Sequence, residues 1–178
     1  MDTHVLENLV LKISNGDLEA LEGLYRDYRH AVFTYSLHLL RDRSQAEDNT
    51  HDVFLQIWSK ASTYRTGSNP AAWIMRMTHN MAIDRYRRST RLVSFEELPD
   101  NESLMGASDE DRIADRIDLQ TVLGMLEPKD RQIVLLKAVA GLPLKSVSQL
   151  AELPLSTVHW RYRRALRLLS KLIRKMEV

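Results

Sequence analysis

The sequence predicts an all-α protein made of two small helical domains. Three observations carry that prediction. Apolar residues recur at three- and four-residue spacing through most of the chain, and no stretch alternates apolar and polar in the manner of a strand. The helical pattern lapses once, between residues 92 and 108, where the chain turns acidic and holds Pro99 and Gly106. With 178 residues and 44% apolar content, each half has enough apolar side chains for a core of its own.

The N-terminal bundle opens with a short amphipathic segment, Val5 to Ile13, stopped at Asn15-Gly16. Asp17 is placed to cap a second helix, about Leu18 to Leu40, with Leu21, Leu24, Tyr25, Tyr28, Val32, Tyr35 and Leu39 on one stripe. A third helix starts near Ser44, an N-cap with Glu47 three residues on. It turns Ala46, Val53, Phe54, Ile57, Trp58 and Ala61 inward and leaves Glu47, Asp48, His51, Asp52, Leu55 and Gln56 outward. After the polar loop 62–69, Asn69-Pro70 is a cap followed by proline at the first helical position. The fourth helix runs to about Arg88, with Trp73 on its core stripe and Arg85, Arg87 and Arg88 near its end.

The break at 92–108 reads as a linker that, fully extended, spans roughly 55–60 Å, so the halves need not touch. From Asp109 one helix reaches about Leu126, Glu127-Pro128 opens another to Val139, and Gly141 ends it. A short helix, a tight turn at Leu153-Pro154 and a long helix entered through Ser156-Thr157 follow. On the long helix Val158, Tyr162, Ala165, Leu169, Leu172 and Met176 form an apolar stripe. Trp160, Arg163, Arg164, Arg167, Lys171 and Arg174 repeat on roughly the opposite face, and residues 155–176 hold seven Lys/Arg and no acid. One packed face, one cationic face and a preceding short helix meet the requirements of a helix-turn-helix in a major groove.

Net charge is only +1, so nucleic-acid affinity rests on local placement: seven acids and no base lie between Leu92 and Asp111, the reverse of the last helix. The absence of cysteine excludes disulfides and thiol switches within this chain. No apolar run is long enough for a membrane span and no signal-peptide pattern opens the chain, so a cytoplasmic location without membrane insertion is expected. The six histidines complete no metal-ligand spacing, and no phosphate loop or nucleophile motif is present. The expectation is therefore a protein with no catalytic residues, no metal and no cofactor.

Five stretches in order then resemble one family, the extracytoplasmic-function sigma factors, the small two-domain type of bacterial RNA polymerase sigma subunit. They are Gly16-Asp17 with LEALEGLYRDY, Ala46–Trp58, Pro70–Arg88, Leu126–Leu144 and Pro154–Ala165, with the acidic linker between the third and fourth. The resemblance implies a region 2-like domain over 1–91, the linker over 92–108 and a region 4-like helix-turn-helix domain over 109–178. It implies that the chain directs core polymerase to specific promoters, bound through the β′ clamp coiled coil and the β flap. By the same likeness Glu47, Asp48, His51, Asp52, Leu55 and Gln56 form the polymerase surface. For the −10 region the loop Tyr64, Arg65, Thr66, Gly67 and Ser68 would form a pocket for an unstacked base. Asn80 and Asp84 would read base edges, and Arg76, Arg85, Arg87 and Arg88 would hold phosphates. For −35 duplex recognition, Ser156 and Thr157 would meet phosphate at the helix start, and His159, Trp160, Arg161, Arg163, Arg164 and Arg167 the groove, with Arg163 or Arg164 the first choice for base specificity. An anti-sigma partner is implied too, and the linker's acids suggest a segment that mimics nucleic-acid charge inside the polymerase.

The chain departs from the pattern at Gln45, where an acid is usual, at His51, where glutamine is usual, and at Ser148 and Trp160, where small residues are usual. Two rivals stay open: a sigma-like decoy that sequesters an anti-sigma factor, and an ordinary helix-turn-helix repressor with an N-terminal dimerisation domain.

Overall fold

The computed structural model describes residues 2–92 and 119–176. The expected linker beyond Leu92 and the start of the helix expected from Asp109 lie outside those residues. The first helix, α1 (Thr3–Ser14), is capped by the Asp2 carboxylate, which accepts the His4 N–H at 3.2 Å, and turns Leu6, Val10 and Ile13 inward. Gly16, at φ +83°, reverses the chain in a conformation that a side chain would strain. Asp17 caps α2 (Leu18–Leu40) by accepting the Ala20 N–H at 3.0 Å, as the sequence pattern predicts.

Helix α2 is the hub. It packs on α1, on α3 (Arg43–Lys60) and on α4 (Pro70–Leu92). Neighbours on several sides widen its buried arc beyond the predicted stripe: Ala20, Ala31 and Ser36 are buried, while Leu21 is half-buried and Tyr25 is exposed, its ring set edge-on to Phe54 at 4.9 Å. Trp58, expected inside, is likewise 37% exposed.

The cap of α3 also differs from expectation. Asp42, not Ser44, accepts the Gln45 N–H at 2.7 Å, because a carboxylate acceptor two residues earlier outcompetes a hydroxyl. Glu47 forms no capping box and instead takes a hydrogen bond from Arg43, four residues back, at 2.9 Å. At α4 the prediction holds: Asn69 accepts the Ala72 N–H at 2.8 Å and Pro70 occupies the first position. The helix continues four residues past the expected end at Arg88.

The C-terminal half comprises α5 (Leu119–Gly124), α6 (Pro128–Val134), α7 (Leu144–Ala151) and α8 (Leu155–Met176). Helix α6 runs on through one wide turn, Leu135–Val139, whose loose winding ends where the Ala140 N–H donates to Leu135 at 2.9 Å and Gly141 adopts φ +73°. Between α7 and α8 the left-handed Glu152 (φ 54°) makes the turn.

The two halves pack against each other, α2 and α4 meeting the wide turn and α7. The Tyr28 hydroxyl donates to the Ala140 carbonyl at 2.6 Å. Gln132 Nε2 donates to the Tyr35 hydroxyl at 3.0 Å, which in turn sits 3.0 Å from His79 Nδ1. Burial drives both tyrosine hydroxyls well above their ordinary titration range, so they remain protonated donors. His38 lies at the same seam with Nδ1 unpartnered. Burial, and then the charges of Arg131, Arg41 and Lys129, push its pKa down to about 4.

Packed His38 is therefore neutral, while an exposed histidine takes a proton near pH 6.5. The stability tied to its burial is complete above about pH 6.5 and is lost as the pH falls toward 4. At pH 5 the loss is about 2 kcal/mol, or roughly 4–8 °C in melting temperature. Thermal melts of the wild type and His38→Gln between pH 7.5 and 5 check this: the wild-type slope is expected to be the steeper.

Candidate nucleic-acid interface

In the C-terminal half, Val158, Ala165 and Leu169 of α8 are buried against the core shared with Val147, Leu150 and Ala151 of α7. That packing turns His159, Trp160, Arg163 and Arg167 to solvent, together with Ser156 at the helix start. Thr157 is half-buried. Ser148, the departure in α7, has a physical role: its hydroxyl donates to the Leu153 carbonyl at 2.8 Å while its own carbonyl accepts the Leu153 N–H at 3.2 Å. The pair closes the turn between the two helices.

The arginines of α8 divide into two sets. Arg161 and Arg164 flank the apolar stripe and face α6. Arg161 donates to Asp130 at 2.7 Å and to Glu127 at 3.2 Å. Arg164 donates to Glu127 at 3.1 Å, lies 3.8 Å from Asp130, and stacks its guanidinium over the Trp160 ring at 5.4 Å from the centroid. Asp130 is only 1% exposed, so its charge needs these partners. The hydrogen bonds from Arg164 and then Arg161 hold the Glu127 carboxyl below its usual range, and Asp130 above all raises Arg161. Arg163 and Arg167 remain exposed cations, with Arg167 Nε 3.4 Å from the Arg163 carbonyl.

On α3, Ala46, Asn49, Thr50, Val53, Phe54 and Ile57 are buried, which leaves Glu47, Asp48, His51 and Leu55 exposed and Asp52 and Gln56 half-buried on one outer face. The interior here is more polar than the stripe predicts. Asn49 donates to Ser36 at 2.9 Å, and Thr50 donates to the Ala46 carbonyl at 2.7 Å. Arg76, Asn80, Asp84, Arg87 and Arg88 of α4 are exposed. Arg85 differs from them, since it reaches back to Asp52 in a close ion pair and to Asp48 at 3.8 Å. An open cleft of about 390 Å³ lies beside that bridge, lined by Gln45, Met81, Asp84 and Arg88 among others.

In the loop before α4, Arg65, Thr66, Gly67 and Ser68 are exposed, but Tyr64 is buried. Its hydroxyl donates to the Ser68 carbonyl at 2.7 Å, and its ring meets Trp73 edge-on at 5.4 Å. Tyr64 thus supports the loop from below. Trp73 is half-buried against the core, on the stripe where the sequence puts it. Sequence reasoning missed Glu7, Glu127 and Asp130, which lie far along the chain from the groups they hold and carry no local signal.

Comparison with known proteins places this geometry. Residues 24–92 match the family model for Sigma-70 region 2, and residues 116–169 match that for Sigma-70, region 4. The chain is 29% identical over 175 residues to the ECF RNA polymerase sigma factor SigK of Mycobacterium sp. (strain KMS), covering 91% of this chain and 87% of that one. The chain belongs to the extracytoplasmic-function sigma factors. SigK of Mycobacterium tuberculosis (strain ATCC 25177 / H37Ra) is also 29% identical, over 173 residues, 91% of this chain and 90% of that one. Two solved structures share the fold of this sigma factor. RpoE in complex with the anti-sigma factor NepR from Bartonella quintana matches with a TM-score of 0.65 at 22% identity, over 86% of this chain and 96% of that one. CnrH in complex with the cytosolic domain of CnrY matches with a TM-score of 0.62 at 20% identity, over 96% and 98%. As a sigma factor, the chain is a transcription regulator. Among the described residues no helix is long and apolar enough to cross a membrane, and no three His, Asp or Glu side chains cluster to hold a metal ion.

Asp130→Ala leaves Arg161 without its closest partner on a half-buried site. A loss of about 1–3 kcal/mol is expected in chemical unfolding of the C-terminal half. Ser148→Ala removes one neutral hydrogen bond and costs about 1 kcal/mol, so the two variants should rank in that order.

Proposed function

We propose that this sigma factor holds core polymerase through the outer face of α3, reads the melted −10 strand with α4 and the loop before it, and reads the −35 duplex with α8. The observation that carries the reading is the separation of its surfaces: carboxylates around the exposed Leu55 on one helix, exposed amide, carboxylate and arginines on the next, and an acid-free cationic helix in the other half. Residues 1–91 act as the polymerase and −10 unit, 109–178 as the −35 unit and 92–108 as their tether. It adds specificity to the polymerase and catalyses no reaction itself, and it works in the cytoplasm. RpoE with NepR and CnrH with the cytosolic domain of CnrY, the fold's solved counterparts, support an anti-sigma partner for this chain as well.

Within that reading Arg163 is the base reader of α8. Arg164 is occupied by Glu127, Asp130 and Trp160, whereas Arg163 projects from the exposed face. The tyrosine contacts between the halves also have a consequence. The −10 and −35 elements are about 25 base pairs apart, roughly 85 Å at 3.4 Å per step. Two units joined at Tyr28–Ala140 and Tyr35–Gln132 do not reach both, so the seam opens on the promoter. The tether 92–108, fully extended, spans roughly 55–60 Å, and the lengths of the two units supply the rest of the reach.

Run-off transcription with purified chain and core polymerase tests the function. Promoter-dependent transcripts are expected; a decoy gives none, and a repressor binds duplex DNA without core. In the same assay Arg163→Ala should cost roughly 10- to 100-fold at the cognate −35 element and relax preference at one base pair. Arg164→Ala should weaken all −35 sequences about equally, because it loosens the brace to α6.

A further inference from the structure

The loop between α3 and α4 is held from outside region 2. Gly67 adopts φ +81°, and its N–H donates to Glu7 Oε1 at 2.6 Å. The same carboxylate oxygen lies 3.2 Å from the Tyr64 hydroxyl, whose proton serves the Ser68 carbonyl at 2.7 Å. Ser68 folds back on Arg65, donating to its carbonyl through both N–H (3.1 Å) and hydroxyl (2.7 Å). Glu7 is itself fixed, being carried on α1 between the buried Leu6 and Val10. It precedes residues 24–92, so it stands apart from the segment that matches the family model.

A carboxylate beside a surface meant for nucleic acid is unfavourable unless it does something else. Here it accepts a backbone N–H, a charge-assisted bond that the chain gains only when Gly67 is left-handed. With Tyr64 below and Glu7 at the side, the backbone of the loop is tied in this conformation, and Arg65 and Thr66 project from it to solvent. We propose that Glu7 is a positioning residue for promoter reading: by holding Gly67 it presents Arg65 and Thr66 in the one arrangement that accepts an unstacked base of the melted −10 strand. The proposal rests on the reading of this loop as the base pocket. Glu7 touches no DNA; it acts through Gly67.

The test uses full-length chain assembled with core polymerase and a set of single-stranded −10 oligonucleotides that differ at each position in turn, with binding read by fluorescence competition. For Glu7→Ala, preference at a single −10 position should fall about ten-fold, as expected for losing one hydrogen bond to a charged group, with affinity for core and for −35 duplex unchanged. Glu7→Gln should retain the preference, because its amide oxygen still accepts the Gly67 N–H. Equal weakening on every oligonucleotide, or an equal loss in Glu7→Gln, would mean that Glu7 only stabilises α1, and would overturn the proposal; so would unchanged preference in Glu7→Ala. Thr66→Ala and Arg65→Ala, in the same assay, separate the two layers. If they shift preference and Glu7→Ala does not, only the positioning role fails; if neither shifts it, the loop is not the pocket.

Discussion

The N-terminal half is assembled on α2, and the Tyr35 hydroxyl is where the other half is joined to it. Tyr35 is a residue of the N-terminal core, yet its hydroxyl accepts a hydrogen bond from Gln132 in the other half and contacts His79 of α4. A buried phenol must find partners, and this one finds them on both sides of the seam. Two helical units that could each close a core alone are thereby closed into one contiguous core. The seam adds the two tyrosine hydrogen bonds to this apolar continuity, with a neutral His38 among cations beside them. Hydrogen bonds of that kind fix the register of the seam.

The second organising constraint is the division of charge. Arginine is abundant on α4 and α8, but Arg85, Arg161 and Arg164 are engaged with Asp52, Asp130 and Glu127 of neighbouring segments. They orient helices. Arg163, Arg167, Arg76, Arg87 and Arg88 are exposed and carry the positive surface. Arg85 has a further consequence, since it bridges Asp48 and Asp52 of α3 to α4 and so ties together the geometry of the two surfaces proposed to meet polymerase and the −10 strand.

Much of this was legible from residues alone. The all-α class, the caps at Asp17 and Asn69, the helix-turn-helix and the outer face of α3 follow from period and local chemistry, which act over three or four residues. The failures share a cause. Periodicity assigns one inward face per helix, so it under-counted the buried arc of α2 and missed the interior Asn49 and Thr50. It could not tell Arg163 from Arg164, one residue apart on a cationic run, because what separates them is an acid pair at 127 and 130 on another helix. The tie between Glu7 and Gly67 is invisible for the same reason: it spans 60 residues. The acidic linker and the first part of the helix expected from Asp109 lie outside the described residues.

The account turns on a closed pair of domains that separates when the promoter is engaged. The most direct measurement is the distance between spin labels on the exposed positions 87 of α4 and 167 of α8, by double electron–electron resonance in the free chain and in the assembly with core polymerase and promoter DNA. The account predicts one short, narrow distribution in the free chain and one longer by tens of ångströms in the assembly, as the roughly 85 Å between the promoter elements demands. A distance that stays the same in a transcriptionally active assembly would contradict it.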